Sequence, residues 1–270
     1  MKLMNKEIIY DREMNIQRCY STEYQGMKVK YIDHMGSDLS VVNSAYASFG
    51  KMEHEYNHDK HDRLIQYLSR GMGEADFEKL ADNLAYKTTN AKDVAKALWQ
   101  FRNTPTHYSP FTHTCITLQC TVPIAIHAQL VKHTVGFNIN TVSRRYVSTT
   151  PELFIPEFRS KPTGNIKQGS GDVHEQSHYW QVWYKRQAEA SIRTYVDMVD
   201  AGIAPEQARF VLPQGVMTEF VWTGNVASFA RMFNQRSDSH SQKEIQDLAQ
   251  MVGEIIEPLY PVSWNALTGN

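Results

Sequence analysis

The sequence predicts an α+β fold, on three observations. Lys28-Val29-Lys30-Tyr31-Ile32-Asp33 alternates polar with apolar residues, and Ile116, Leu118 and Cys120 share one face at period two, so both segments read as half-buried strands. From about Val173 to Val199 the pattern is that of one long helix, stopped by Ala201-Gly202. Strands and helices interleave without an internal repeat, too irregularly for a doubly wound parallel sheet.

Taken in order, the strand at 28–33 runs to Met35-Gly36, after which Asp38 is positioned to cap a helix reaching about Phe49. Between Lys51 and Arg63 the chain is dense in His, Asp and Lys, and Leu64, Ile65, Tyr67 and Leu68 restore a helical apolar stripe. A further helix is expected near Ala91 to Arg102, before the turn at Thr104-Pro105. The strand Thr114 to Cys120 leads to Pro123, which opens a helix to about Lys132. Lys161 to Gly171, rich in Gly, Pro and Ser, reads as a loop. Pro205 starts a short helix carrying Glu206 and Arg209, Phe220 to Thr223 reads as a strand, and Asn225 caps a helix over Val226 to Gln235. That helix delivers Arg236, Asp238 and His240 near its end.

The 270 residues, 41% hydrophobic, are enough for one sizeable core, and residues 1–270 read as a single domain with 1–27 as an N-terminal extension. A net charge of -1 argues against binding a nucleic acid polymer, which asks for a basic surface. Three cysteines, Cys19, Cys115 and Cys120, form an odd, scattered set that suits a reducing compartment, and the cytoplasm is the expected location. No apolar run approaches the roughly 18 residues of a membrane span, and Met1 to Arg12 lacks the apolar core of a signal peptide. Neither membrane insertion nor export is expected.

The richest segment is Gln129-Leu130-Val131-Lys132-His133-Thr134, followed eight residues later by Ser143-Arg144-Arg145-Tyr146. It sets a cation, an imidazole and guanidinium groups at a helix end and in the following loop, a combination that suits an anionic, planar ligand. Ser143 has no sequence-adjacent base and reads as a hydrogen-bonding residue rather than a nucleophile. Cys115 and Cys120, on a strand, read as core residues. One competing motif is present: His54-Glu55-Tyr56-Asn57-His58 satisfies the H-E-x-x-H zinc pattern, with His61 three residues on, so three imidazoles could share a helical face in a zinc hydrolase. The absence of apolar positions to bury such a helix favours a charged surface segment instead.

Beyond about residue 30 the chain resembles the flavin-dependent thymidylate synthases of the ThyX type. The family signature is Arg-His-Arg, a short spacer, then Ser-x-Arg; here it reads Lys132-His133-Thr134, eight residues, then Ser143-Arg144-Arg145. Met35-Gly36-Ser37-Asp38-Leu39-Ser40, His107-Tyr108-Ser109-Pro110-Phe111-Thr112-His113, Ala208-Arg209-Phe210-Val211-Leu212-Pro213 and Asp238-Ser239-His240 match further family blocks in the same order. Lys132 and Thr134 depart from the signature's two arginines, Thr141 falls where the family usually has Glu, and Ala227 falls where members often carry Arg. The pattern resembles that of a divergent member.

The resemblance implies conversion of dUMP to dTMP, with methylenetetrahydrofolate as carbon donor and FAD, reduced by NADPH, as hydride source. It implies that Gln129, Lys132, Ser143, Arg145, Arg209 and Arg236 bind dUMP, and that Arg236 is catalytic, stabilising negative charge at N3 and the adjacent carbonyl. For the flavin it implies Ser48, His107, Ser109, Lys132, His133, Thr134, Asn225 and His240. The expected assembly is a homotetramer whose subunits share each active site. Two alternatives remain open: action on another pyrimidine nucleotide or formation of a hydroxymethyl product, and, more remotely, the zinc hydrolase through His54, Glu55 and His58.

Overall fold

The computed structural model describes residues 4–11, 16–71, 106–162 and 169–269, with isolated helical positions between 78 and 96. Its strands are β1 (Asn5–Asp11), β2 (Ile16–Tyr24), β3 (Met27–Met35), β4 (Cys115–Pro123), β5 (Phe137–Thr141) and β6 (Met217–Gly224). Its helices are α1 (Asp38–Tyr46), α2 (His58–Arg70), α3 (Ile124–Leu130), α4 (Ser177–Asp200), α5 (Pro205–Ala208), α6 (Val226–Arg236), α7 (Lys243–Ile256) and α8 (Pro261–Thr268). The helix expected near Ala91 to Arg102 falls largely outside the described residues. Most of the loop at Lys161 to Gly171 does too.

The α+β expectation holds: one six-stranded sheet, ordered β1-β2-β3-β4-β6-β5, has antiparallel pairing at β1/β2, β2/β3 and β5/β6. Two of its strands come from residues 1–27, where only an extension was expected. β1 pairs with β2 through a bulge between Glu7 and Ile8, a device that blunts a sheet edge.

The chain forms two compact units: Met1–Asp33, Thr117–Gly224 and Met232–Ile255 make the first, and His34–Ile116, Asn225–Arg231 and Ile256–Asn270 the second. In the first, Met27, Val29 and Tyr31 of β3, Leu118, Cys120 and Val122 of β4, and Phe220 and Trp222 of β6 are buried at every second position, as half-buried strands require. α7 adds Ile245, Leu248, Val252 and Ile255, whose helical spacing makes one apolar stripe. Burial pushes the Cys120 thiol well above its usual range, so it is not poised as a nucleophile, and Cys115 lies half-buried on the other face of β4.

In the second unit α2 packs on α8, and α1 lies against the short 3₁₀ helix Ser109–His113. Asp38 was expected to cap α1, but Ser37 holds that position and its N–H donates to Ser40 Oγ at 3.1 Å. The Asp38 carboxylate instead accepts from Val262 N and Ser263 N, both at 2.9 Å, in the first turn of α8. Helix starts leave N–H groups without partners, and this carboxylate supplies two. Gly36, at φ +95°, makes the turn into α1, where an added Cβ would lie 3.3 Å from Ser40 Cβ. Residues 35–40 thus build a turn and two helix starts.

Candidate active site

α3 is one residue shorter at its start and two at its end than the sequence pattern suggested, with Pro123 as its N-cap and not its first residue. Buried Ile126 and Leu130 anchor it. His127 and Gln129, two positions apart, point about 200° apart around the helix and face different surroundings. That divergence separates two groups of the expected site residues within the first unit.

One group gathers where α3 ends. The Arg236 Nε–H donates to His133 Nε2 at 2.8 Å, and its Nη2 donates to the Gln129 carbonyl oxygen at 3.3 Å. An imidazole nitrogen that accepts from a guanidinium must offer its lone pair, so the ring is neutral and carries its proton on Nδ1. His133 is buried at 8% exposure, and Lys132 and Thr134 on either side are exposed, presenting an ammonium and a hydroxyl to solvent. Gln129 continues outward: its Nε2 donates to Gln242 Oε1 at 2.6 Å. Beyond α6, His240 Nδ1 lies 2.8 Å from Asp238 Oδ1, and the His240 backbone N–H, bonded to the same oxygen, holds the Asp238 carboxyl below its usual range.

The second group lines an open cavity of about 600 Å³ that includes His127, Thr141, Ser143, Arg144, Arg209 and Phe210. His127 Nε2 is 2.9 Å from Thr141 Oγ1, its ring meets Phe220 edge-on at 4.9 Å, and burial lowers its pKa. A glutamate at 141 would set a carboxylate there and favour the charged imidazole; threonine leaves it neutral. Ser143 Oγ accepts from Arg145 N at 3.3 Å and so shapes the turn. Arg145 Nε donates to Glu206 Oε2 at 3.1 Å, and Arg209 Nε to the Glu206 carbonyl at 3.1 Å. Both guanidinium groups are exposed, beside the exposed aromatics Tyr146 (80%) and Phe210 (84%). Glu206 had no signal as a partner, because 61 residues separate it from Arg145.

The remaining expected flavin residues belong to the second unit. Ser48 is exposed in the 3₁₀ turn Ala47–Phe49, and Ser109 opens the 3₁₀ helix Ser109–His113. His107 stacks on Tyr67 with ring centroids 5.6 Å apart, while its N–H donates to the Leu68 carbonyl at 2.9 Å. Asn225 Oδ1 accepts from Ser228 N at 2.9 Å, the cap expected from sequence. Ala227 is buried at 7% exposure, so an arginine there would need the chain to open around it.

The zinc motif does not assemble. α2 begins only at His58, with Asn57 as N-cap, so His54 and Glu55 precede the helix and share no face with His58. His61 is buried, and its Nδ1 accepts from the Asn57 N–H at 3.0 Å. Among the described residues no group of three His, Cys, Asp or Glu side chains is placed to hold a metal. Nor is any described helix long and apolar enough to cross a membrane.

Comparison with known proteins places this architecture. The family model described as thymidylate synthase complementing protein matches residues 30–262. The flavin-dependent thymidylate synthase of Thermotoga neapolitana is 30% identical over 244 residues, covering 88% of this chain and 89% of the relative. That of Pseudothermotoga lettingae is 27% identical over 238 residues, covering 88% of each. Among solved structures, a UMP/dUMP methylase PolB from Streptomyces cacaoi, bound with 5-Br dUMP, shares the fold with a TM-score of 0.71 at 23% identity, over 90% of this chain and 95% of that one. With the family match spanning residues 30–262, most of its length, the chain belongs to the thymidylate synthase complementing protein family.

Proposed function

We propose that the chain is a flavin-dependent thymidylate synthase that methylates dUMP to dTMP, with methylenetetrahydrofolate as carbon donor and NADPH as the source of reducing equivalents. The observation that carries this reading is the Arg236 guanidinium, clamped between neutral His133 and the Gln129 carbonyl at the end of α3. A guanidinium held in one orientation can aim its remaining N–H groups at charge developing on a uracil N3 and carbonyl, without reorganising during the reaction. Exposed Arg145 and Arg209, with Ser143, are the donors for the nucleotide phosphate, and the charge and fork of each guanidinium suit that task.

The flavin residues fit by their chemistry: Ser48, Ser109 and Thr134 carry hydroxyls, Lys132 an ammonium, Asn225 an amide, and His107, His133 and His240 imidazoles. This set offers donors to a pyrophosphate and to ring heteroatoms. Bound FAD would supply the hydride, which no side chain can. Lys132 in place of arginine keeps the charge but loses the planar fork. Asn225 Oδ1 already accepts from Ser228 N in the helix cap, and its N–H₂ is the donor it offers a ligand. Self-assembly into a homotetramer belongs to the same proposal, supported by Tyr146 and Phe210, large exposed aromatics beside the phosphate-binding arginines.

The test is an absorbance spectrum of purified protein with FAD, then anaerobic NADPH, then dUMP with methylenetetrahydrofolate. Flavin that binds, bleaches and reoxidises as dTMP forms is the expected result. A product heavier by one oxygen would identify the hydroxymethyl reaction, and failure to bind flavin would overturn the proposal.

A further inference from the structure

The side chains of Gln129, Gln242 and Glu244 form a hydrogen-bonded line within the first unit. Gln129 Nε2 donates to Gln242 Oε1 at 2.6 Å, and Gln242 Nε2 donates to Glu244 Oε2 at 2.8 Å. Glu244, in the first turn of α7, is buried at 8% exposure and anchors one end of the line, while Gln242 in its middle is exposed and Gln129 at its other end is half-buried. Its direction follows from donor and acceptor chemistry. A carboxylate accepts only, so Gln242 must turn its N–H₂ inward and its oxygen outward. That oxygen also accepts only, so Gln129 must meet it with its own N–H₂. With either amide reversed, two oxygens would face each other.

We propose that Gln242 and Glu244 are positioning residues which set the orientation of the Gln129 amide, leaving Oε1 as a fixed acceptor, with one N–H, toward the nucleotide. The inference rests on the nucleotide-binding role proposed above for Gln129. The consequence is preorganisation: an amide free to turn over presents the wrong end to a ligand part of the time, and binding must select the right one. The Gln129 carbonyl is also the acceptor of Arg236 Nη2, so one residue links the oriented amide to the guanidinium proposed to act on the base.

Two variants separate orientation from simple loss of a buried charge. In Glu244→Gln the inner residue can donate or accept, so both outer amides are free to reverse. In the double variant Gln242→Glu with Glu244→Gln, the carboxylate moves one place outward, accepts from both neighbours, and again compels Gln129 to present its N–H₂. The first readout is the side-chain amide NMR signal of Gln129 in the flavin-loaded protein without nucleotide. It should shift in Glu244→Gln and return in the double variant. The second is steady-state kinetics: KM for dUMP should rise about tenfold in Glu244→Gln, with a much smaller change in kcat, and recover in the double variant. An unchanged Gln129 signal in Glu244→Gln, or a double variant as impaired as the single one, overturns the inference. Signals that shift and return in a protein that does not bind dUMP support the tether and overturn the nucleotide reading instead.

Discussion

The two groups of site residues in the first unit differ in how much of their geometry exists before any ligand arrives. Around Arg236 the guanidinium, a buried imidazole, a backbone carbonyl and the Gln129–Gln242–Glu244 line are joined by hydrogen bonds. Around Arg145 and Arg209 the charges are exposed and held by one carboxylate and one carbonyl of Glu206, beside an open cavity. The difference suits the two tasks proposed for these groups. Stabilising charge that appears only in the transition state rewards fixed dipoles, whereas capturing a dianion from water rewards accessible cations. An exposed ion pair such as Arg145–Glu206 contributes little, about 0–1 kcal/mol, so a phosphate bound as proposed would displace it cheaply.

The contrast breaks most visibly at Arg236. Arg236→Ala should lower kcat by about a hundredfold or more while the bound flavin spectrum persists. It should also lower Tm, because His133 and the Gln129 carbonyl lose a donor. Loss of flavin together with activity would move Arg236 out of the base-binding role. Next in size, Arg209→Ala should raise KM for dUMP about tenfold with kcat and Tm nearly unchanged. The KM of the unmodified protein should climb with ionic strength, and more gently once Arg209 is gone; an equal salt slope in both would count against a phosphate contact.

A smaller effect tests the exposed pair. Glu206→Gln should leave Tm within experimental scatter and lower KM for dUMP about twofold, since Arg145 no longer has to leave a carboxylate. Calorimetric titration with dUMP would reveal a weakened affinity if Glu206 in fact orients both arginines. Smallest of all is a pH effect at His127. Burial lowers its pKa in the fold, so between the unfolded value of 6.5 and the folded one the unfolded chain binds more protons, and stability falls as pH drops through that window. His127→Gln retains a partner for Thr141 without titrating, and Tm measured from pH 7 to 5 should decline less steeply than in the unmodified protein.

Much of the local structure around the candidate site was legible in sequence because its residues lie in short blocks with local causes. Asn225 caps α6 as its position announces, whereas Lys132, expected as the last residue of α3, follows that helix together with His133 and Thr134. The partners were not legible. Arg236 meets His133 across 103 residues, and Gln129 meets Gln242 across 113, separations at which periodicity carries no information. Asp38 shows the same limit in the second unit: it carries the composition of a cap for its own helix but serves the start of α8, 225 residues away at Ser263. The H-E-x-x-H pattern shows the converse, since a local helix start at Asn57 and His58 dismantled a motif that needs continuous helix.

By itself the sequence determined the α+β class, most element positions and the residue types of the site, because alternation, helical stripes, prolines and caps act over a few neighbouring residues. Only the tertiary structure decided that residues 5–24 supply two strands of the sheet, and that His127 and Gln129 look opposite ways from one short helix. It also decided that a buried Glu244 stands behind the Gln129 amide. Strand pairing and side-chain hydrogen bonds join distant segments through the packing of the core, and the energy that selects them exists only once that core has formed.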